Sequence, residues 1–192
     1  MRLFSPLYDR AMRWARHRHA PHYLAALSFA ESSFFPIPPD VMLAPMSMAA
    51  PSRAWWFATL TTLASVVGGL AGYLIGVFAF EAIEPWLRES HYWSGYLRAK
   101  EWFGEWGFWA VFLAGFSPIP YKIFTITAGV IAMSLGPFML ASLVGRGARF
   151  FLVAALMAWG GARMESLLRE YIDRVGWLVV LVVVVVFFLA TG

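Results

Sequence analysis

An uncharged run covering positions 54–80 is the feature that most limits how this chain can fold. As an α-helix rising 1.5 Å per residue, a run of this length is about 40 Å long and crosses a hydrocarbon layer of about 30 Å with some tilt. The composition agrees, because 60% of the residues are hydrophobic and only 14% are charged, whereas soluble domains average about 45–50% and about 25%. The sequence therefore predicts an integral membrane protein without a separate soluble domain.

The other apolar segments predict a single all-α membrane domain over residues 22–192. Further spans are predicted at 137–162 and 175–192, and the valine-rich last one must be helical because lipid offers its backbone no hydrogen-bond partner. Residues 1–21 predict an amphipathic interfacial helix, whose arginines place the N-terminus in the cytoplasm. Residues 81–107 mix glutamates, basic residues and tryptophans, which predicts an interfacial connector on the outer side.

Two proline-rich segments, 22–53 and 108–136, break the helical pattern. A proline inside a helix costs about 3 kcal/mol or more, and the flanks that remain are too short to cross a membrane. Each segment is therefore predicted to be a re-entrant hairpin. The predicted turns carry Pro36, Pro38, Pro39, Pro118 and Pro120.

The two hairpin motifs are internal repeats. FFPIPPD, from Phe34, aligns with FSPIPYK, from Phe116, at a constant offset, and each copy precedes an apolar stretch and a helix that contains glycine. Since one crossing separates the copies, the second hairpin should enter from the opposite face. This is the inverted-repeat arrangement of transporters, in which broken helices form the site near the midplane.

Charged residues in or beside the apolar segments are the candidate site: Glu31, Asp40, Lys122, Arg146 and Arg149. Asp40 and Lys122 are aligned in the repeats and are expected to pair, either for function or only for structure. Arg146 and Arg149 share a helix face, and guanidinium groups suit phosphate oxygens, although snorkelling to an interface is the alternative. Three positive charges against two negative ones predict an anionic substrate held by Lys122, Arg146 and Arg149. Glu31, with no aligned cation, is expected to exchange a proton, and Asp40 to stay ionised as the partner of Lys122.

Other patterns restrict partners and chemistry. Gly68, Gly72 and Gly76 predict close helix packing, with packing inside one chain favoured over a homo-oligomer contact. Scattered basic residues without a Lys/Arg stripe argue against nucleic acid. The absence of cysteine excludes thiolate chemistry, and no metalloprotease, hydrolase or nucleotide motif is present. We expect no catalytic residue, no metal and no cofactor.

The segments ESSFFPIPPD, GFSPIPYKIFTITAGV and GRGARFFLVAALMAWGG resemble the DedA superfamily, also called SNARE-associated or VTT-domain proteins, and within it the YqaA-like branch. The resemblance covers roughly residues 25–190. It implies a multi-pass protein of the bacterial inner membrane, with two re-entrant hairpins of inverted orientation, that moves phospholipids or undecaprenyl phosphate between leaflets.

The resemblance also implies roles for single residues. Glu31 and Asp40 match the family's acidic residues in the first hairpin. The broader family has two arginines around the proline of the second motif, where this chain has Ser117 and, near the second, Lys122. The two arginines of GRGARFF would then supply the missing positive charge.

The function predicted from the sequence is translocation of an anionic membrane lipid, with proton coupling through Glu31 and Asp40 as a further hypothesis. The protein is not expected to be an enzyme. Two alternatives remain: an enzyme embedded in the membrane that uses the same carboxylates on a lipid phosphate, and a structural membrane-homeostasis factor.

Overall fold

The computed structural model describes residues 17–117 and 120–160. Most of the predicted interfacial helix and the whole predicted span at 175–192 lie outside these residues. The described part is all-α, without a strand, which confirms the predicted fold class. Its helices are α1 (Ala20–Ser33), α2 (Asp40–Ala49), α3 (Ala54–Glu89), α4 (Trp93–Phe116), α5 (Tyr121–Val130) and α6 (Leu135–Gly160), with a short 3-10 turn, Pro51–Arg53, before α3.

Two of these helices, α3 with its preceding turn and α6, are long and apolar enough to cross a membrane. They contain the predicted span at 54–80 and the described part, 137–160, of the predicted span at 137–162. With 36 residues, α3 is about 54 Å long and exceeds the hydrocarbon layer by about 24 Å.

The predicted connector at 81–107 is not a separate element. The structure divides it between the end of α3, a turn at 90–92 and the first half of α4. Charged residues after position 80 end the apolar span, but the helix continues to Glu89. Glu84 and Arg88 form an i,i+4 ion pair of 2.7 Å that supports the last turns of α3.

The first proline motif lies where the chain breaks between α1 and α2. The helix ends at Ser33 and the next begins at Asp40, whose carboxylate in the first turn suits the positive end of the helix dipole. Ala20, at the start of α1, and Met46, near the end of α2, share one apolar cluster with Phe150 of α6. This helix pair therefore returns to the end of the bundle from which it starts.

The second break separates α4 from α5. Pro120 immediately precedes α5, while Pro118 lies outside the described residues. Along α3, the start of α5 at Tyr121 lies beside Gly69, whereas Gly129 near its end lies against the backbone of Tyr73. The two helix pairs thus approach the middle of α3 from opposite ends. Their re-entry into a membrane stays a prediction.

The glycine stripe of α3 faces helices of the same chain. A side chain at Gly68 would meet the backbone of Phe29 in α1, and one at Gly76 would meet the backbone of Ile126 in α5. Gly72 lies between Thr125 and the Ser32 carbonyl. The favoured prediction, packing within one chain, agrees with these contacts. Oligomerisation through these three glycines stays a prediction that these contacts do not support, because helices of the same chain lie against all three.

Candidate charge site at the helix breaks

The candidate site lies where α6 passes the two helix breaks, beside the middle of α3. The C-terminal end of α1 brings Glu31 there, and the first turn of α2 brings Asp40. Arg146 and Arg149 reach these carboxylates from α6, 115 and 109 residues away along the chain. The arginine side chains therefore join the first helix break to α6.

Arg146 is fully enclosed. Its side chain forms an ion pair with Glu31 and donates from Nε to Ser65 Oγ at 2.6 Å. The guanidinium lies over the rings of Tyr121 and Phe150, with 4.9 and 4.5 Å to the ring centres. With 1% of the residue exposed, Arg146 has its charge neutralised and its planar faces covered.

Arg149 is more open. Its Nη2 donates to Asp40 Oδ2 at 2.6 Å, and its Nη1 donates to the carbonyl of Ser117 at 2.7 Å. Ser117 is the residue that ends α4, so this one guanidinium contacts both helix breaks. The side chains of Arg149 and Asp40 are 19% and 23% exposed.

Two polar atoms beside Arg149 have no hydrogen-bond partner among the described residues. They are the second carboxylate oxygen of Asp40, Oδ1, and the hydroxyl of Ser117, and both are buried. A buried polar atom without a partner costs free energy. This half of the site is therefore less completely satisfied than the half around Arg146.

Lys122 is the remaining cation of the predicted set. Its ammonium donates to the carbonyl of Phe34 at 3.4 Å, which joins α5 to the first helix break. In the described part of the chain no carboxylate lies within ion-pair distance of it. Next to it, Thr125 Oγ1 contacts the carbonyls of Lys122 and Ser32 at 3.0 and 3.3 Å.

The predicted pair of Asp40 with Lys122 is wrong, because Asp40 binds Arg149. Alignment shows that the two residues are equivalent in their repeats, but it does not show which residue each side chain faces. Glu31, which has no aligned cation in the repeat, forms its ion pair with Arg146 of α6.

Sequence reasoning missed the serines of the site, Ser32, Ser65 and Ser117. A signal was present for two of them. Ser28 and Ser32 in α1, like Thr61 and Ser65 in α3, are four residues apart and so share a helix face. Small hydroxyl residues at this spacing favour hydrogen bonds between membrane helices.

Fold and site together define a helical membrane protein in which two proline-broken helix pairs meet around paired charges. The VTT domain profile matches residues 37–159. The chain belongs to the VTT-domain family, that is, to the DedA superfamily, which confirms the resemblance seen in the sequence.

Relatives extend this assignment. A Haemophilus influenzae protein described as uncharacterized is 48% identical over 189 residues, which cover 98% of each chain. The inner membrane protein YqaA of Escherichia coli is 26% identical over 137 residues, or 71% of this chain and 90% of that protein. Undecaprenyl phosphate transporter A of Staphylococcus aureus is 33% identical over 92 residues, which cover 45% of each chain. No solved structure matches the chain.

Proposed function

We propose that this protein moves an anionic lipid phosphate, such as undecaprenyl phosphate or a phospholipid, between the leaflets of the bacterial inner membrane. The observation that carries the proposal is the position of Arg149, a partly exposed guanidinium that contacts both helix breaks. The printed name of the Staphylococcus aureus relative, an undecaprenyl phosphate transporter, supports the substrate class.

Lys122 and Arg149 are the cations that a phosphate group can reach. Within residues 17–117 and 120–160, the Lys122 ammonium has one hydrogen-bond partner, the carbonyl of Phe34 at 3.4 Å, and a neutral acceptor is easily exchanged for a phosphate oxygen. Arg149 offers a planar fork that binds two phosphate oxygens at once. Together they provide the positive charge that draws an anionic head group into the middle of the bundle.

Asp40 competes with the phosphate for Arg149. As long as the carboxylate is ionised, it occupies Nη2 of the guanidinium at 2.6 Å. Protonation of Asp40 would remove its charge and free this donor for a phosphate oxygen. Proton binding at Asp40 and lipid binding at Arg149 would then favour each other, and this is the form of proton coupling that we propose.

The opposed direction of the two helix pairs supports alternating access. We propose that both pairs re-enter the membrane, one from each face, and that the N-terminus lies in the cytoplasm. In transporters of this design the two repeats move against each other around a site near the midplane. Arg149, which contacts both breaks, lies where such a movement would open the site to either leaflet.

The test is transport of a fluorescent polyprenyl phosphate in vesicles that contain the purified protein, read with an impermeant quencher. Arg149→Gln should lower the rate by about tenfold or more, because a bidentate contact to phosphate is lost. Arg98→Gln, in the exposed first half of α4, is the matched control and should transport like the wild type. A chemically altered lipid would instead favour the enzyme, and wild-type protein without transport would overturn the proposal.

A further inference from the structure

Four side chains from three helices form a closed ring of hydrogen bonds. Arg146 Nε contacts Ser65 Oγ at 2.6 Å, Ser65 contacts Ser32 Oγ at 2.7 Å, and Ser32 contacts Glu31 Oε2 at 3.2 Å. Arg146 Nη2 binds Glu31 Oε2 directly and closes the ring. The ring joins α1, α3 and α6 at one level of the bundle.

The chemistry of the two ends fixes the direction of every bond. A guanidinium can only donate and a carboxylate can only accept. Ser65 must therefore accept from Arg146 and donate to Ser32, and Ser32 must in turn donate to Glu31. Ser65 is used once as acceptor and once as donor, whereas Ser32 donates once and also accepts from Arg146 Nη2 at 3.4 Å. The two charges cancel.

A satisfied, buried ring is a poor place for a substrate. Ser32 and Ser65 are fully buried, and the guanidinium of Arg146 lies between two aromatic rings. A phosphate that bound Arg146 would leave Glu31 as a buried charge without its partner, which is strongly unfavourable. The partly exposed pair of Asp40 and Arg149 carries no such restriction.

We infer that Glu31, Ser32, Ser65 and Arg146 are positioning residues, which hold α1 against α6 so that Arg149 meets Asp40. Arg149 follows Arg146 by about one helical turn, and Asp40 follows Glu31 across the first break. A ring that fixes the first pair therefore fixes the distance across the second. The inference rests on the proposed function, because it assigns the lipid phosphate to Arg149 and Lys122 and withholds it from Arg146.

The first experiment opens the ring without removing a charge. Ser32→Ala and Ser65→Ala each delete one hydroxyl of the ring. Ser28→Ala is the matched control. Ser28 is equally buried between α1 and α3, but it donates to the Thr61 carbonyl at 2.8 Å, outside the ring. Transport per folded protein should fall about tenfold in the ring variants, because small displacements at a site are costly, and stay unchanged in the control. Equal rates per folded protein in all three variants would reduce the ring to a structural element and overturn the inference.

The second experiment removes the charges singly and together. Glu31→Gln and Arg146→Met should each lower the melting temperature and the transport rate, because each leaves a buried charge unpaired. The double variant should recover most of the melting temperature, because neither charge is left buried without a partner. It should not recover the transport rate, because the ring is still missing. A double variant that is folded and transports like the wild type would show that the ring is not needed to position Arg149, and would overturn the inference.

The two proposals fail in different ways. If the wild-type protein moves no labelled lipid, the proposed function is wrong, and the melting temperatures still test the ring. If the double variant loses as much stability as the two single variants together, or more, the residues are not coupled and the ring is overturned. A smaller loss supports the ring.

Discussion

Arg146 and Arg149 lie about one turn apart on α6, but their surroundings differ. Arg146 is 1% exposed and donates to a carboxylate and a buried hydroxyl, whereas the Arg149 side chain is 19% exposed and donates to a carboxylate and a carbonyl. Exchange of partners is easier at Arg149, because a guanidinium near solvent loses less when one partner leaves. At the scale of single residues, this difference separates Arg146, the positioning residue, from Arg149, the proposed phosphate-binding residue.

The contact between Arg149 and the Ser117 carbonyl leads to a prediction about moving the charge. In an Arg149→Gln background, Ser117→Arg should restore transport to within about tenfold of the wild type, because the guanidinium returns to the same end of α4 and again suits phosphate. The rate is measured in the vesicle assay. Ser94→Arg, in the exposed first turn of α4, adds the same charge elsewhere and should restore nothing.

Which charges matter was easier to predict than how they pair. Isolated charges in apolar segments cost about 2.5–3.5 kcal/mol each on the insertion scale, so they stand out in the sequence. Pairing depends on the direction in which each helix turns its side chains. The repeat alignment of Asp40 with Lys122 contains no such information, and Arg149, outside both repeats, was the actual partner of Asp40.

At the scale of elements, α5 lies against α3 at glycines. A side chain at Gly129 would collide with the Tyr73 carbonyl, so Gly129→Ala should lower the free energy of unfolding by about 1–3 kcal/mol. Gly95→Ala is the control, because Gly95 lies in the exposed part of α4 with open space around it. It should gain about 0.5–1 kcal/mol. Thermal melting of the purified variants compares the two, and equal shifts would contradict this packing.

The turn between α5 and α6 contains a strained alanine. Ala132 has φ 53°, and Met133 N donates to the Ala128 carbonyl at 2.9 Å, which is the helix ending that favours glycine. Ala132→Gly should therefore stabilise the protein by about 0.5–1 kcal/mol. The substitution relieves backbone strain in the folded state, and the greater flexibility that glycine gives the unfolded chain offsets part of this gain. Ala99→Gly, exposed within α4, should instead cost about 1 kcal/mol. A loss of stability at both positions would argue against the strained turn.

Helix interruptions were predictable and helix lengths were not. Proline removes a backbone donor, so Pro36, Pro38 and Pro39 fix the end of α1 from the sequence alone. The continuation of α3 to Glu89 follows from i,i+4 pairing and from stacking of Phe80 on Tyr96, with 4.7 Å between ring centres. The stacking depends on the packing of α4 against the end of α3, which local composition does not predict.

At the scale of the whole molecule, the proposed orientation can be tested through the absence of native thiols. Ser52→Cys and Gly95→Cys are exposed positions on either side of the span in α3. With the N-terminus in the cytoplasm, an impermeant maleimide should label Gly95→Cys in intact cells with permeable outer membranes. Ser52→Cys should react only after the inner membrane is opened. Labelling of both from the same side would rule out a crossing by α3.

The ion pairs between α6 and the first helix break also have a consequence for biosynthesis. The arginines lie 109 and 115 residues after their carboxylates, so at about 5–20 residues per second the ribosome makes Asp40 and Glu31 roughly 5–20 s before their partners. Throughout that interval the first helix pair lacks the two arginines that pair with its carboxylates in the folded protein. We therefore expect the final packing of the first helix pair to follow the arrival of α6.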